Sequence, residues 1–129
     1  MKKLRQDKST ANERFPRRCR LLRSGDFERV YRRRIRASDE LLIVHGLQNE
    51  IGITRLGLSV PRRIGGAVAR NRWKRLLREA FRRSRDALPE GLDLVVSPRG
   101  PGEPTFEEVA GSLMKLASKL DRKLDRKES

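Results

Sequence analysis

The chain has 129 residues, 36% of them aliphatic or aromatic, and carries 32 Lys and Arg against 17 Asp and Glu, a net charge of +15. That is the size of one domain with a modest core, and the apolar fraction is low for an enzyme built around a deep apolar pocket. A solvated surface does not need so large an excess of one sign; a polyanionic partner does, and the usual polyanion is nucleic acid. No run approaches the ~18 apolar residues that a membrane span needs. Met1-Lys2-Lys3-Leu4 lacks the apolar stretch of a signal peptide, so a cytoplasmic location and no membrane partner are expected. With one cysteine (Cys19) and one histidine (His45), the sequence offers no internal disulfide and no set for a protein-held metal or a nucleophile–base pair.

Along the chain, residues 1–13 are polar and mixed in charge, which predicts a disordered tail; residues 14–125 read as a single domain and 126–129 as a C-terminal tail. Ser24 is placed to cap a short helix with Phe27, Val30 and Tyr31 on one face. Leu41 to Leu47 and Arg55 to Val60 read as strands joined through Gln48-Asn49-Glu50. A long helix is predicted from about Gly66 to about Ala87, and Leu92 to Val96 is a further strand. Thr105 and Glu108 form a capping box, after which Phe106, Val109, Leu113, Leu116, Leu120 and Leu124 face inward. The pattern implies an α/β (α+β) two-layer sandwich, with a small mixed sheet of three to four strands and the order α-β-β-(β)-α-β-α.

Charge is unevenly spread. Residues 61–85 hold ten bases and one acid, Glu79, and residues 14–36 hold ten Arg and two acids, whereas residues 86–129 hold nine acids and seven bases. At 100° per residue the long helix puts Ala69, Trp73, Leu76, Leu77, Ala80 and Phe81 on one face. The opposite face carries Asn71, Lys74, Arg75, Arg78, Arg82 and Arg85, with Arg70 and Arg72 at its borders. Ordinary solvent faces alternate acids with bases; this one does not. Guanidinium forks match phosphate oxygens, Asn71 adds a neutral donor and acceptor, and Gly65-Gly66 lets backbone approach a ligand beside the helix N-terminus. A strand ending at Pro61 precedes this helix where a helix-turn-helix reader would need a second helix, and one Cys with one His makes no zinc finger. The glycines form neither a Walker loop nor a dinucleotide fingerprint.

The segment GLSVPRRIGGAVARNRWKRLLREAF, residues 57–81 centred on Arg70-Asn71-Arg72, resembles the signature of the bacterial ribonuclease P protein component. Segment order and spacing extend the resemblance from about Leu21 into the last helix. It implies a small protein that binds a catalytic RNA and the 5′ leader of precursor tRNA. The RNA cuts the leader off with Mg²⁺ that it binds mainly itself, so no catalytic residue, protein-held metal, organic cofactor or DNA partner is implied here. It also implies a left-handed βαβ crossover, against the usual right-handed rule. Transferred residue by residue, the RNA-binding set is Arg62, Arg63, Arg70, Asn71, Arg72, Lys74, Arg75 and Arg78. Phe27 and Tyr31 fall where the family presents rings to the leader, and His45 falls at a cleft position often aromatic in relatives. Pro61 and Gly66 also depart from the usual motif, and neither removes a charged contact. On composition alone a ribosomal or ribosome-assembly RNA-binding protein serves equally well; only the signature separates the two.

Overall fold

The computed structural model describes residues 17–21 and 23–128. The predicted tail, residues 1–13, lies outside them. Helix α1 (Ser24–Arg33) is followed by β1 (Arg36–Ser38), β2 (Leu42–Gln48), β3 (Arg55–Leu58), α2 (Ala67–Ser84), β4 (Leu92–Pro98) and α3 (Phe106–Glu128). Short 3-10 turns occupy Arg17–Cys19, Arg62–Ile64 and Arg85–Ala87. The extra strand, β1, precedes the two strands read from the sequence, where the pattern put its optional strand after them, and α2 gives way to a tighter turn at Arg85 rather than running to Ala87.

The four strands lie in the order β1-β2-β4-β3. β1 pairs antiparallel with β2, and β2 with β4, while β3 runs parallel to β4 and reaches it through α2. Successive strand residues face opposite sides. Leu42, Val44, Leu56, Leu92, Leu94 and Val96 point to one face and form the main core with Trp73, Leu77, Ala80 and Phe81 of α2 and Val109, Leu113, Leu116, Leu120 and Leu124 of α3. Cys19 is fully buried in this core, which leaves it a packing residue.

Among the described residues, the other face is covered by α1 and by Leu21 just ahead of it, through a small separate cluster of Leu21, Val30 and Val95 edged by Phe27 and Leu47. α1 adds a partial third layer to the expected sandwich. It crosses the strands obliquely. Phe27 lies over Gly57 of β3, where an added Cβ would stand 2.8 Å from the ring, and Tyr31 reaches His45 of β2. Glycine at 57 is what lets the ring approach so closely. The helix ends at Arg34, held in the left-handed region (φ 58°) with its N–H on the Tyr31 carbonyl at 3.0 Å.

Two capping expectations fare differently. Thr105 and Glu108 exchange the paired bonds of a capping box, at 2.9 and 3.1 Å. Ser24 does not cap α1. Arg23 occupies the N-cap without a side-chain bond, because helical geometry begins at Ser24 itself, and Asp26 in the first turn supplies the favourable charge instead.

Candidate nucleic-acid interface

The amphipathic pattern of α2 orients it as its periodicity requires. Trp73, Leu77, Ala80 and Phe81 are buried, while Asn71, Arg72, Arg75 and Arg78 are exposed and Lys74 is half-buried. Among the described residues, the side chains of Asn71, Lys74, Arg75 and Arg78 make no hydrogen bond or ion pair. They form a row of donors with nothing to neutralise it. The other cations of the helix are partly engaged. Arg70 donates its Nε to the Gly65 carbonyl at 3.1 Å, Arg72 lies 3.3 Å from Glu103, and Arg82 donates its Nε to Glu79 at 3.1 Å. Arg85, placed on the polar face by periodicity, is half-buried at the turn that ends α2.

The N-terminus of α2 is built for access. Gly65 takes a φ of 151°, where a Cβ would crowd Ala69 at 2.9 Å, and Gly66 is an N-cap with no side-chain acceptor. The first-turn N–H groups are left to an outside anion. Just ahead, Arg62 and Arg63 are exposed, and Arg63 donates to the Arg99 carbonyl at 3.1 Å. Lys74 and Arg78 also line a groove of about 250 Å³ along the outer edge of β3, shared with Arg20, Leu56 and Phe27. That groove joins the basic face of α2 to the underside of α1.

On the sheet face that α1 covers, Tyr31 and His45 meet edge to face, with ring centroids 4.9 Å apart and planes at 82°. Tyr31 is 39% exposed, and Ile43 and Ser97, paired across β2 and β4, remain half-buried beside this ring pair. The two rings thus form an aromatic wall at the partly exposed margin between α1 and the sheet. Phe27 belongs more to the packing of α1, with its ring on Gly57 and Leu21. Burial, and then the neighbouring Arg36 charge, push the His45 imidazole below its ordinary value. It is therefore neutral at pH 7 and suited to stacking.

The opposite flank of α1 is anchored by a buried carboxylate at the base of a cavity of about 520 Å³, which Arg29, Arg32, Arg33, Leu47, Arg55 and Asp93 help to line. Asp93, fully buried on β4, accepts both arms of Arg55 at 2.8 and 2.7 Å, the Asn49 amide at 2.8 Å and Arg29 of α1 at 3.5 Å. This node ties α1, β3, β4 and the β2–β3 connection together, and no periodicity argument points to it. The signal was available: a lone acid inside the apolar run LDLVV requires a buried cationic partner. Among the described residues, no group of three or more His, Cys, Asp or Glu is arranged to hold a metal ion. Nor, among the described residues, is any helix long and apolar enough to cross a membrane.

Comparison with known proteins agrees with this geometry. The family model for Ribonuclease P matches residues 15–121. Ribonuclease P protein components from Halorhodospira halophila and Thermotoga petrophila are similar, the first 45% identical over 70% of this chain and 75% of the relative, the second 38% identical over 75% and 83%. The fold also matches the RNase P protein of Thermotoga maritima, with a TM-score of 0.70 and 32% identity over 78% of this chain and 96% of that one. The Staphylococcus aureus RNase P protein gives a TM-score of 0.69 and 30% identity over 78% and 94%. The signature helix, the mixed sheet and the matched length converge: this chain belongs to the ribonuclease P protein family.

Proposed function

We propose that the protein is the RNA-binding subunit of a ribonucleoprotein that removes the 5′ leader from precursor tRNA, with bond breaking carried out by the RNA. The observation that carries this reading is the acid-free row Asn71, Lys74, Arg75 and Arg78, whose donors have no partner among the described residues. In the proposed division of labour, this row and Arg62, Arg63, Arg70 and Arg72 grip phosphates of the catalytic RNA. The Tyr31–His45 wall receives unstacked leader bases. Base–aromatic stacking is worth about 1–3 kcal/mol per base and tolerates any sequence, as a subunit serving many precursors requires. Among the described residues the carboxylates form no cage for Mg²⁺, and in this proposal the RNA holds the metal.

The test is reconstitution. Purified protein, the cognate catalytic RNA and a precursor tRNA are combined at low Mg²⁺. Cleavage at the leader junction should depend on the protein, and the protein alone should cut nothing. Robust hydrolysis by the isolated protein, or cleavage indifferent to its addition at every Mg²⁺ concentration, refutes the proposal.

A further inference from the structure

β1 is an edge strand, and its register with β2 leaves part of its backbone facing outward. Gly46 donates to the Ile35 carbonyl at 3.1 Å and Asp39 to the Leu42 carbonyl at 3.1 Å. The alternation of antiparallel bonds then turns the N–H and C=O groups of Arg36 and Ser38 away from β2. Along this edge runs a groove of about 650 Å³, walled on one side by Arg34, Arg36 and Ser38 and on the other by Lys119 and Lys123 of α3. Four cations line it and no carboxylate does. Lys123 is held in place by donating to the outward Arg36 carbonyl at 2.6 Å. α3 holds six Lys and Arg and five Asp and Glu, a nearly balanced charge, and two of those lysines are aimed at this one edge.

The groove lies where the aromatic wall ends. α1 leads from β3, under Phe27, to β2, under Tyr31, and then turns through Arg34 into β1. Arg36 is the register partner of His45, one strand spacing, about 4.8 Å, further out. A single strand lying across His45 toward the sheet edge meets Arg36 next and the two lysines after it.

We infer that this edge groove binds the phosphate backbone of the leader after it has passed the aromatic wall. It is a phosphate site of its own, separated from the arginine face of α2 by the width of the sheet, roughly 14 Å for three strand spacings. The inference rests on the leader reading above. Cationic lining, free backbone donors and a lining without a carboxylate favour a phosphate chain over an apolar or basic partner.

The experiment uses reconstituted holoenzyme and precursor tRNAs with leaders of increasing length, together with mature tRNA. Wild-type affinity should rise as the leader grows long enough to pass the aromatic wall. In the double variant Lys119→Gln, Lys123→Gln this gain should shrink several-fold, with a salt slope shallower by about 1.4 for the two lost phosphate contacts. Short-leader precursors and mature tRNA should bind as before, and Lys119→Arg with Lys123→Arg should restore the gain. An undiminished gain, or an equal loss on mature tRNA that assigns the groove to another RNA segment, overturns the inference. So does suppression of the groove's effect by an acidic peptide but not by single-stranded RNA. Tyr31→Ala measured in parallel separates the two ideas: if it discriminates precursor from mature tRNA while the lysine pair shows no length effect, only the groove assignment fails.

Discussion

Removing Arg75 and Arg78 together should change how binding to the catalytic RNA responds to salt, more distinctively than it changes affinity at any one salt concentration. Both side chains are exposed and make no hydrogen bond or ion pair among the described residues, so each is free to displace one counterion from a phosphate. Each lost contact makes the plot of log K against log salt shallower by ~0.7–0.9, or about 1.4–1.8 for the pair. Across a fourfold rise in salt, from about 50 to about 200 mM, the deficit of Arg75→Ala, Arg78→Ala relative to wild type should shrink about 7- to 12-fold. Fluorescence anisotropy with labelled catalytic RNA over a salt series measures this directly. Arg82→Ala is the internal control, because its guanidinium is held on Glu79 and is not free to meet RNA without breaking that pair. Its slope should stay that of wild type. Parallel lines for the double variant and wild type, or an equal change of slope in Arg82→Ala, would rule out phosphate contact by Arg75 and Arg78. Exposed helix positions changed to Ala cost within ~0.5 kcal/mol of stability, so unfolding cannot mimic the result.

Other expectations follow from the aromatic wall and the sheet ends. Tyr31→Ala should weaken precursor tRNA binding by about 5- to 150-fold, the equivalent of 1–3 kcal/mol for one stacked base, and leave mature tRNA unchanged in a competition assay. Arg36→Ala should raise the His45 titration midpoint, read by proton NMR, because it removes one of the two causes that depress it. With a lowered folded-state value, His45 contributes fully above its unfolded value of 6.5 and loses stability as pH falls below it, so Arg36→Ala should soften that loss. Burial would push the Asp39 carboxyl up, but the Leu42 N–H, the Ser112 hydroxyl, the Leu41 N–H and Lys115 outweigh it and hold the group at about 2. Its depressed value stabilises the fold above the unfolded value and is lost as pH falls through about 2. Asp39→Asn should therefore cost about 2 kcal/mol at pH 7 and little at pH 2 by chemical denaturation, and a cost independent of pH would contradict the assignment.

What the sequence disclosed, it disclosed through periodicity and motif. The Thr105–Glu108 box and the leucine ladder of α3 are local signals that agree with one another, and the structure keeps them. Trp73 and Phe81 followed from a 3.6-residue repeat and are buried on the sheet. β1 has three residues and a single buried side chain, Ala37, which is too little for a pattern of alternation. The partial engagement of Arg70 and Arg72 was illegible for another reason. Their partners, the Gly65 carbonyl and Glu103, are set by how chain segments fold back, and a helical wheel sees neither. The same holds for Lys119 and Lys123, which read as ordinary helix-surface lysines until the edge of β1 is laid against them.

The unequal division of the apolar interior has a consequence for motion. α1 rests on a satellite of three buried residues, while α2 and α3 share the main interior with the sheet. Local opening free energies follow such differences, so the amide protons of α1 should exchange with solvent well before those of β4 or α3. The Arg29–Asp93 contact resists that detachment on the side away from the rings. A guest wedged along the other side would fasten the helix from both flanks, so occupancy should be readable as slowed exchange in α1 alone, with the rest of the molecule unchanged.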